Sequence, residues 1–126
     1  AVPQYQSYIA RTKITEVYSS TAATKTVVAD YFNINGGMPP SVSIEADAIK
    51  AGIEASEYVT SATYAYADAT NSSITVLLTA GIASDITATT ELVLDFNGSG
   101  AVFTLDCTSA SGTDVPDKYL PKACKL

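Results

Sequence analysis

Residues Val2 to Phe32 read VPQYQSYIARTKITEVYSSTAATKTVVADYF, and their apolar side chains recur at spacings of three or four. This spacing places the apolar residues along one face of a helix, so we predict one long amphipathic α-helix over the stretch. Pro3 falls in the first turn, where a missing backbone N–H is tolerated, and Gly36 and Gly37 provide a stop.

The predicted helix is longer than the domain that could cover it. At about 1.5 Å per residue it would extend about 46 Å. A compact domain of 126 residues has a diameter of roughly 35 Å. We therefore expect the first turns, with Tyr5, Tyr8 and Ile9, to protrude or to be covered by another molecule.

The second half of the chain changes to a period of two, which is typical of β-strands. Asn97-Gly98 lies between two alternating runs and indicates a hairpin, so the last two strands should be adjacent and antiparallel. Four runs alternate in this way, at residues 58–67, 74–79, 91–96 and 101–107.

One face of the predicted hairpin is apolar and must be covered. The first helix is the only element in which we find a matching stripe, so we expect it to lie across an antiparallel sheet of about four strands in an α+β fold. The apolar face of the hairpin contains Leu92, Leu94, Phe96, Phe103 and Leu105. The helix should bury Ile14, Val17, Val28 and Tyr31 against Leu92, Leu94, Phe103 and Leu105.

The length of the chain favours a single domain over residues 1–126. Its predicted parts are the helix (1–33), a connection (34–57), the sheet (58–107) and a C-terminal tail (107–126). Within the connection, Ser43 could cap a short helix that contains Ala48, Ile49 and Ile53.

Composition excludes several classes of function. The net charge of −6 argues against general nucleic-acid binding, which requires cations to replace phosphate counterions. Histidine is absent, so His-assisted nucleophilic catalysis and the commonest zinc sites are excluded. We therefore expect no enzyme activity and no cofactor. The acidic pairs Asp114/Asp117 and Glu45/Asp47 could suggest a calcium site, but neither has a calcium-loop motif, so we interpret them as solvated carboxylates.

Cys107 and Cys124 are the two cysteines of the chain, and neither lies in a CxxC motif. We favour a disulfide, which implies an oxidising compartment, over two unrelated buried thiols. The bond would close the irregular tail into a tethered, exposed loop of the kind that often carries binding residues. Lys118, Lys122 and Lys125 in this tail are the one place where a polyanion could bind.

The opening sequence AVPQYQSYIARTKITE, residues 1–16, resembles the middle of the N-terminal helix of type IV pilins of the type IVa subclass. That family has the pattern Ala-x-Pro-x-Tyr-x-x-Tyr at this point. The ending DKYLPKAC, residues 117–124, is similar to the family's C-terminal disulfide loop. Many relatives have a tryptophan just before the first cysteine, where this chain has Leu105-Asp106.

The resemblance implies the type IV pilin fold and a structural subunit of a type IVa pilus. Such pili support adhesion to host or abiotic surfaces, twitching motility and in some cases DNA uptake. The family's mature subunit begins with an apolar segment that anchors the precursor in the inner membrane and later forms the filament core, so we expect this chain to be a processed or truncated product that lacks it. Pro3, Tyr5, Tyr8 and Ile9 would then belong to the filament-assembly helix.

Two other roles remain open at this point. A minor or competence pilin would bind DNA or a receptor at the filament tip, and its binding loop would include Lys118, Lys122 and Lys125. A type II secretion pseudopilin is a third interpretation, against which the C-terminal disulfide argues. We expect DNA binding to be weak or absent, and we expect the partners to be other pilin subunits and the assembly machinery of a Gram-negative bacterium.

Overall fold

A computed structural model describes the backbone of residues 2–125 and the side chains of residues 6–125. The chain begins with two consecutive helices and a third in the connection to the sheet: α1 (Val2–Ala22), α2 (Lys25–Asn35) and α3 (Ile44–Glu54). Within residues 2–125, no helix has the length and apolar character needed to cross a membrane.

The long N-terminal helix is confirmed, but it is interrupted at Ala23 and Thr24. Thr24 keeps right-handed helical angles (φ −69°, ψ −15°), while its N–H bonds three residues back to the Thr21 carbonyl at 3.1 Å. The Thr24 hydroxyl donates to the same carbonyl at 2.6 Å, and the Thr21 hydroxyl donates to the Val17 carbonyl at 2.8 Å. These hydroxyls compete for carbonyls within the helix, which tightens the turn without ending the helical path.

The sheet contains four antiparallel strands in the order of the sequence, as predicted. They are β1 (Val59–Asp68), β2 (Asn71–Leu78), β3 (Glu91–Asn97) and β4 (Thr104–Asp106). Three short 3-10 turns follow, at Ser109–Ser111, Asp117–Tyr119 and Lys122–Cys124.

The β3–β4 connection is wider than the tight hairpin that Asn97-Gly98 predicted. Asn97 pairs with Thr104, so six residues form the loop and β4 begins three residues later than expected. The Gly98 N–H bonds to the Thr70 carbonyl at 2.8 Å, and a Cβ at Gly98 would lie 2.6 Å from the Phe32 ring. This loop therefore accommodates the helix as well as reversing the chain, and Phe103 packs between Phe32 and Phe96.

The core lies between the helices and one face of the sheet. Ile14, Val17 and Val28 of the helix are fully buried, and Tyr31 is half-buried. The first helix does not cover the sheet alone, because α3 packs on β1 and buries Ala46, Ile49 and Ile53 in the same cluster. The predicted cap of α3 is confirmed: the Ser43 hydroxyl accepts from the Ala46 N–H at 3.1 Å.

The apolar face of the predicted hairpin is covered. Leu92, Leu94 and Phe96 are buried, and Phe103 and Leu105 are half-buried.

Candidate functional site

The C-terminal disulfide joins Cys107, directly after β4, to Cys124 near the end of the described chain. The Cα atoms are 4.8 Å apart, and both residues are buried. We refer to residues 107–124 as the disulfide loop. Because both cysteines are buried in the core, the bond fixes both ends of the loop there.

The disulfide loop is more tightly packed than the expected exposed binding loop. Val115, Tyr119 and Leu120 belong to the hydrophobic core. The loop also covers the part of β3 that lies beyond β4. The Asp114 N–H donates to the Glu91 carbonyl, the Glu91 N–H donates to the Asp114 carboxylate, and the Thr113 hydroxyl bonds to both backbone groups of Val93. Alternation alone could not predict this, because the loop residues follow no regular period.

Lys118, one of the three predicted binding lysines, is paired with an acidic side chain. Its Nζ lies 3.0 Å from the Asp85 carboxylate, and the Tyr119 hydroxyl donates to the other Asp85 oxygen at 2.8 Å. Asp85 comes from the β2–β3 connection, so this cluster links that connection to the disulfide loop. Lys118 therefore has a carboxylate partner within the chain, which offsets part of the positive charge that it could present to an anion.

The electrostatics of the cluster favour the docked loop at neutral pH. Hydrogen bonds from Tyr119 and then Lys118 lower the pKa of the Asp85 carboxyl below its ordinary value. The bond with Asp85 raises the pKa of Lys118, and burial raises the pKa of the Tyr119 hydroxyl. Because the pKa of Asp85 is lower in the folded chain, its contribution to stability is present above the ordinary carboxyl pKa and is lost as the pH falls through the lowered value.

The exposed end of α1 lies beside the same loop. Arg11 Nε donates to the Lys118 carbonyl at 3.0 Å, which ties the helix to the 3-10 turn at Asp117–Tyr119. One turn earlier, Tyr8 is 64% exposed and Ile9 is 36% exposed. The side chains of Pro3 and Tyr5, which we also placed in the assembly helix, lie outside the part that the structure describes.

A cleft of about 630 Å³ lies between the N-terminal end of α1 and the disulfide loop. Its walls come from α1, from the β2–β3 connection and from the disulfide loop. Ile9 of the predicted assembly helix and Lys118 of the predicted binding loop both line it, whereas Lys122 and Lys125 do not. Its remaining lining residues are Gln6, Ser7, Lys13, residues 80–84 and Tyr119.

Lys122 and Lys125 are exposed, and in the described residues neither forms a salt bridge. Of the three predicted lysines, Lys118 is therefore paired and lines the cleft, whereas Lys122 and Lys125 are exposed outside it. Among residues 2–125 there is also no group of three or more acidic or cysteine side chains placed to hold a metal ion.

Three residues of this site were missed from the sequence: Arg11, Asp85 and Tyr119. Asp85 lies in the connection between β2 and β3, and it bonds to a tyrosine 34 residues away. No local pattern indicates a contact over such a distance. The apolar residues Ile82 and Ile86, on either side of Asp85, are both buried and hold that connection against the core. They are the sequence feature from which the position of the connection could have been inferred.

The sequence profile of the pilin family, described as a bacterial filament protein, matches residues 10–125, which include all four strands and the disulfide loop. The chain belongs to the pilin family. It is 31% identical to the fimbrial protein EcpC of Eikenella corrodens, in an alignment that covers 99% of this chain and 76% of the relative. The long helix, the four-stranded antiparallel sheet and the C-terminal disulfide of this pilin are consistent with the pilin fold.

Proposed function

We propose that this pilin is a structural subunit of a type IVa pilus and polymerises with copies of itself without catalytic activity. The observation that supports this most directly is the open end of α1. Tyr8 and Ile9 leave apolar surface on a helix whose later turns are buried by the sheet. That patch is small for a stable interface on its own. Polymerisation would therefore depend on the continuation of this helix toward an apolar N-terminal segment, as the resemblance to type IVa pilins implies.

The same resemblance supports the rest of the proposal. The precursor would be anchored in the inner membrane of a Gram-negative bacterium, delivered to pilus assembly machinery and built into an extracellular filament. The filament would then serve adhesion to host or abiotic surfaces, twitching motility and in some species DNA uptake. An oxidising compartment outside the cytoplasm is consistent with the disulfide.

The open end of α1 can be tested by Tyr8→Glu with Ile9→Glu in the full-length subunit, expressed in a piliated host that lacks its own pilin. We expect filaments to be lost, because two carboxylates would have to be desolvated at each subunit contact. The folded domain should change by only about 0.5 kcal/mol per site, since both side chains are partly exposed. Filaments are counted by electron microscopy, and domain stability is measured by thermal unfolding.

Val42→Glu with Val102→Glu is the matched control, because these valines are 94% and 70% exposed and belong to the connections before α3 and between β3 and β4 rather than to α1. The control should leave filaments intact. Normal filaments from the Tyr8/Ile9 variant, or equal loss in both variants, would contradict a specific role for this helix end.

A minor or competence pilin that binds DNA or a receptor at the filament tip is the second candidate. The exposed Lys122 and Lys125 favour it, while the pairing of Lys118 with Asp85 weakens it. Two free lysines would give a salt dependence of affinity with a log–log slope no steeper than about −1.8.

Weak, salt-sensitive DNA binding is therefore the expected result of a mobility-shift assay. Replacing Lys118, Lys122 and Lys125 with alanine should abolish any binding seen. Tight binding that resists salt and survives the triple substitution would favour the tip-binding role over the filament-subunit role.

A further inference from the structure

Strand β1 has an amino-acid sequence suited to pairing with another strand. Residues 59–67 read VTSATYAYA, nine positions rich in β-branched and aromatic residues and free of charge, proline and glycine. The sheet order places β1 at an edge, with β2 on one side and, among the described residues, no strand on the other. A long, uncharged edge strand is the usual template for unwanted pairing between copies of a protein.

Two charged side chains of α3 occupy the open edge of β1. The Ala62 N–H donates to Glu54 Oε2 at 2.9 Å, and Lys50 Nζ donates to the Ala62 carbonyl at 2.9 Å. Lys50 and Glu54 are also paired with each other at 2.7 Å. Both backbone groups of Ala62 are thus satisfied by charge-assisted hydrogen bonds, which are stronger than neutral ones.

A second contact occupies the same edge near the end of the strand. The Tyr66 N–H donates to the Ser41 hydroxyl at 2.8 Å, and the Tyr64 hydroxyl donates to the Pro39 carbonyl at 2.8 Å. Ala62, Tyr64 and Tyr66 are alternate residues, so their backbone groups point away from β2 together. Both backbone groups of Ala62 and the N–H of Tyr66 are therefore occupied, so a neighbouring strand cannot form a continuous ladder along this edge.

The opposite edge of the sheet is closed by different means. β4 is only three residues long, and the disulfide loop bonds to the part of β3 beyond it. The Lys50–Glu54 pair is half-exposed, and an exposed ion pair alone contributes little to stability. What the pair adds is its bonds to the β1 backbone, which occupy the edge of the strand. Hydrogen bonds from Lys50 and from Ala62 accordingly lower the pKa of the Glu54 carboxyl.

We propose that Lys50 and Glu54, assisted by Ser41, close the edge of β1 and thereby prevent it from pairing with β1 of a second copy of this chain. Without these contacts the edge would be free to self-associate, and the α3 side chains prevent this by occupying its backbone groups. Subunits are then left to associate through other surfaces. This inference is independent of the proposed role as a type IVa pilus subunit.

Lys50→Ala with Glu54→Ala is the direct test. Alanine favours the helix, and the buried residues of α3 (Ala46, Ile49 and Ile53) are unchanged, so the fold should be retained. We expect the parent to be monomeric and the double variant to dimerise with rising concentration in sedimentation velocity. In the dilute, monomeric variant, hydrogen exchange at the Ala62 amide should be about tenfold faster, which corresponds to one lost charge-assisted hydrogen bond.

Three further variants identify the edge as the cause. Glu54→Gln keeps an acceptor for the Ala62 N–H and should remain monomeric. Lys25→Ala with Asp30→Ala removes the same charges from α2 and should also remain monomeric. Adding Ala65→Lys to the Lys50/Glu54 variant places a cation on the exposed face of β1 in both copies and should restore the monomer.

Circular dichroism first establishes that each variant is folded. A folded Lys50/Glu54 variant that stays monomeric at millimolar concentration would overturn the proposal. Dimerisation that is insensitive to Ala65→Lys would also overturn it, as would a parent that already dimerises through β1.

Discussion

Val28→Asp is expected to destabilise the domain by about 3 kcal/mol or more, because it places a carboxylate in the core without a partner. Val28 lies in α2 and has 0% exposure. In a domain whose total stability is about 5–15 kcal/mol, this should lower the melting temperature by at least about 10 °C. Thermal and urea unfolding followed by circular dichroism measure the effect.

Val27→Asp is the matched control for this substitution. Val27 is the neighbouring residue in the same helix and is 40% exposed, so its carboxylate remains solvated. We expect a change of no more than about 0.5 kcal/mol. Equal melting temperatures for the two variants would show that α2 does not pack on the sheet through Val28.

Loss of the disulfide is the second change with a large expected effect. Cys107 and Cys124 are separated by 17 positions. Opening a loop of this size should reduce the free energy of unfolding by about 3 kcal/mol in the chain-entropy model. We expect residues 108–123 to lose protection from hydrogen exchange before the helix and sheet do, because their other links to the core are fewer.

Cys107→Ala with Cys124→Ala provides the control, since a reducing agent should not destabilise this variant further. Thiol titration of the denatured parent without reductant should detect essentially no free thiol. Two thiols per chain, or a stability unchanged by reduction, would contradict the account of the disulfide loop.

The sheet could be predicted because its signal is local. Strict alternation identified β2 and β3, and the face that contains Leu92, Leu94 and Phe96 is buried as expected. Asn97-Gly98 correctly marked adjacent antiparallel strands but not the width of the loop. Gly98 of this loop lies beside the Phe32 ring, and that contact joins residues 66 positions apart.

The helix shows a similar limit. Its apolar stripe predicted the buried face, including Ile14 and Val17. The interruption at Ala23 and Thr24 involves hydrogen bonds from the Thr21 and Thr24 hydroxyls to helix carbonyls. The spacing of apolar residues does not indicate which carbonyl a hydroxyl will bind. Helix α3 was predicted from its Ser43 cap, but its place against β1 was not, because a short amphipathic helix fits many apolar surfaces.

The site was the least predictable part. The two cysteines indicated their bond, but they gave no sign that Lys118 pairs with Asp85, which reaches it from another connection. The sequence also gave no sign that Arg11 would hold the loop against α1, because that bond joins residues 107 positions apart.

The most direct test of the proposed role is complementation of a pilin-deleted, piliated host with the full-length precursor of this chain. Sheared surface filaments are imaged by cryo-electron microscopy, and their subunits are identified by mass spectrometry. We predict restored filaments built from this subunit, with the α1 ends directed toward the filament axis. A precursor that is processed and inserted in the membrane but never enters filaments would contradict the account.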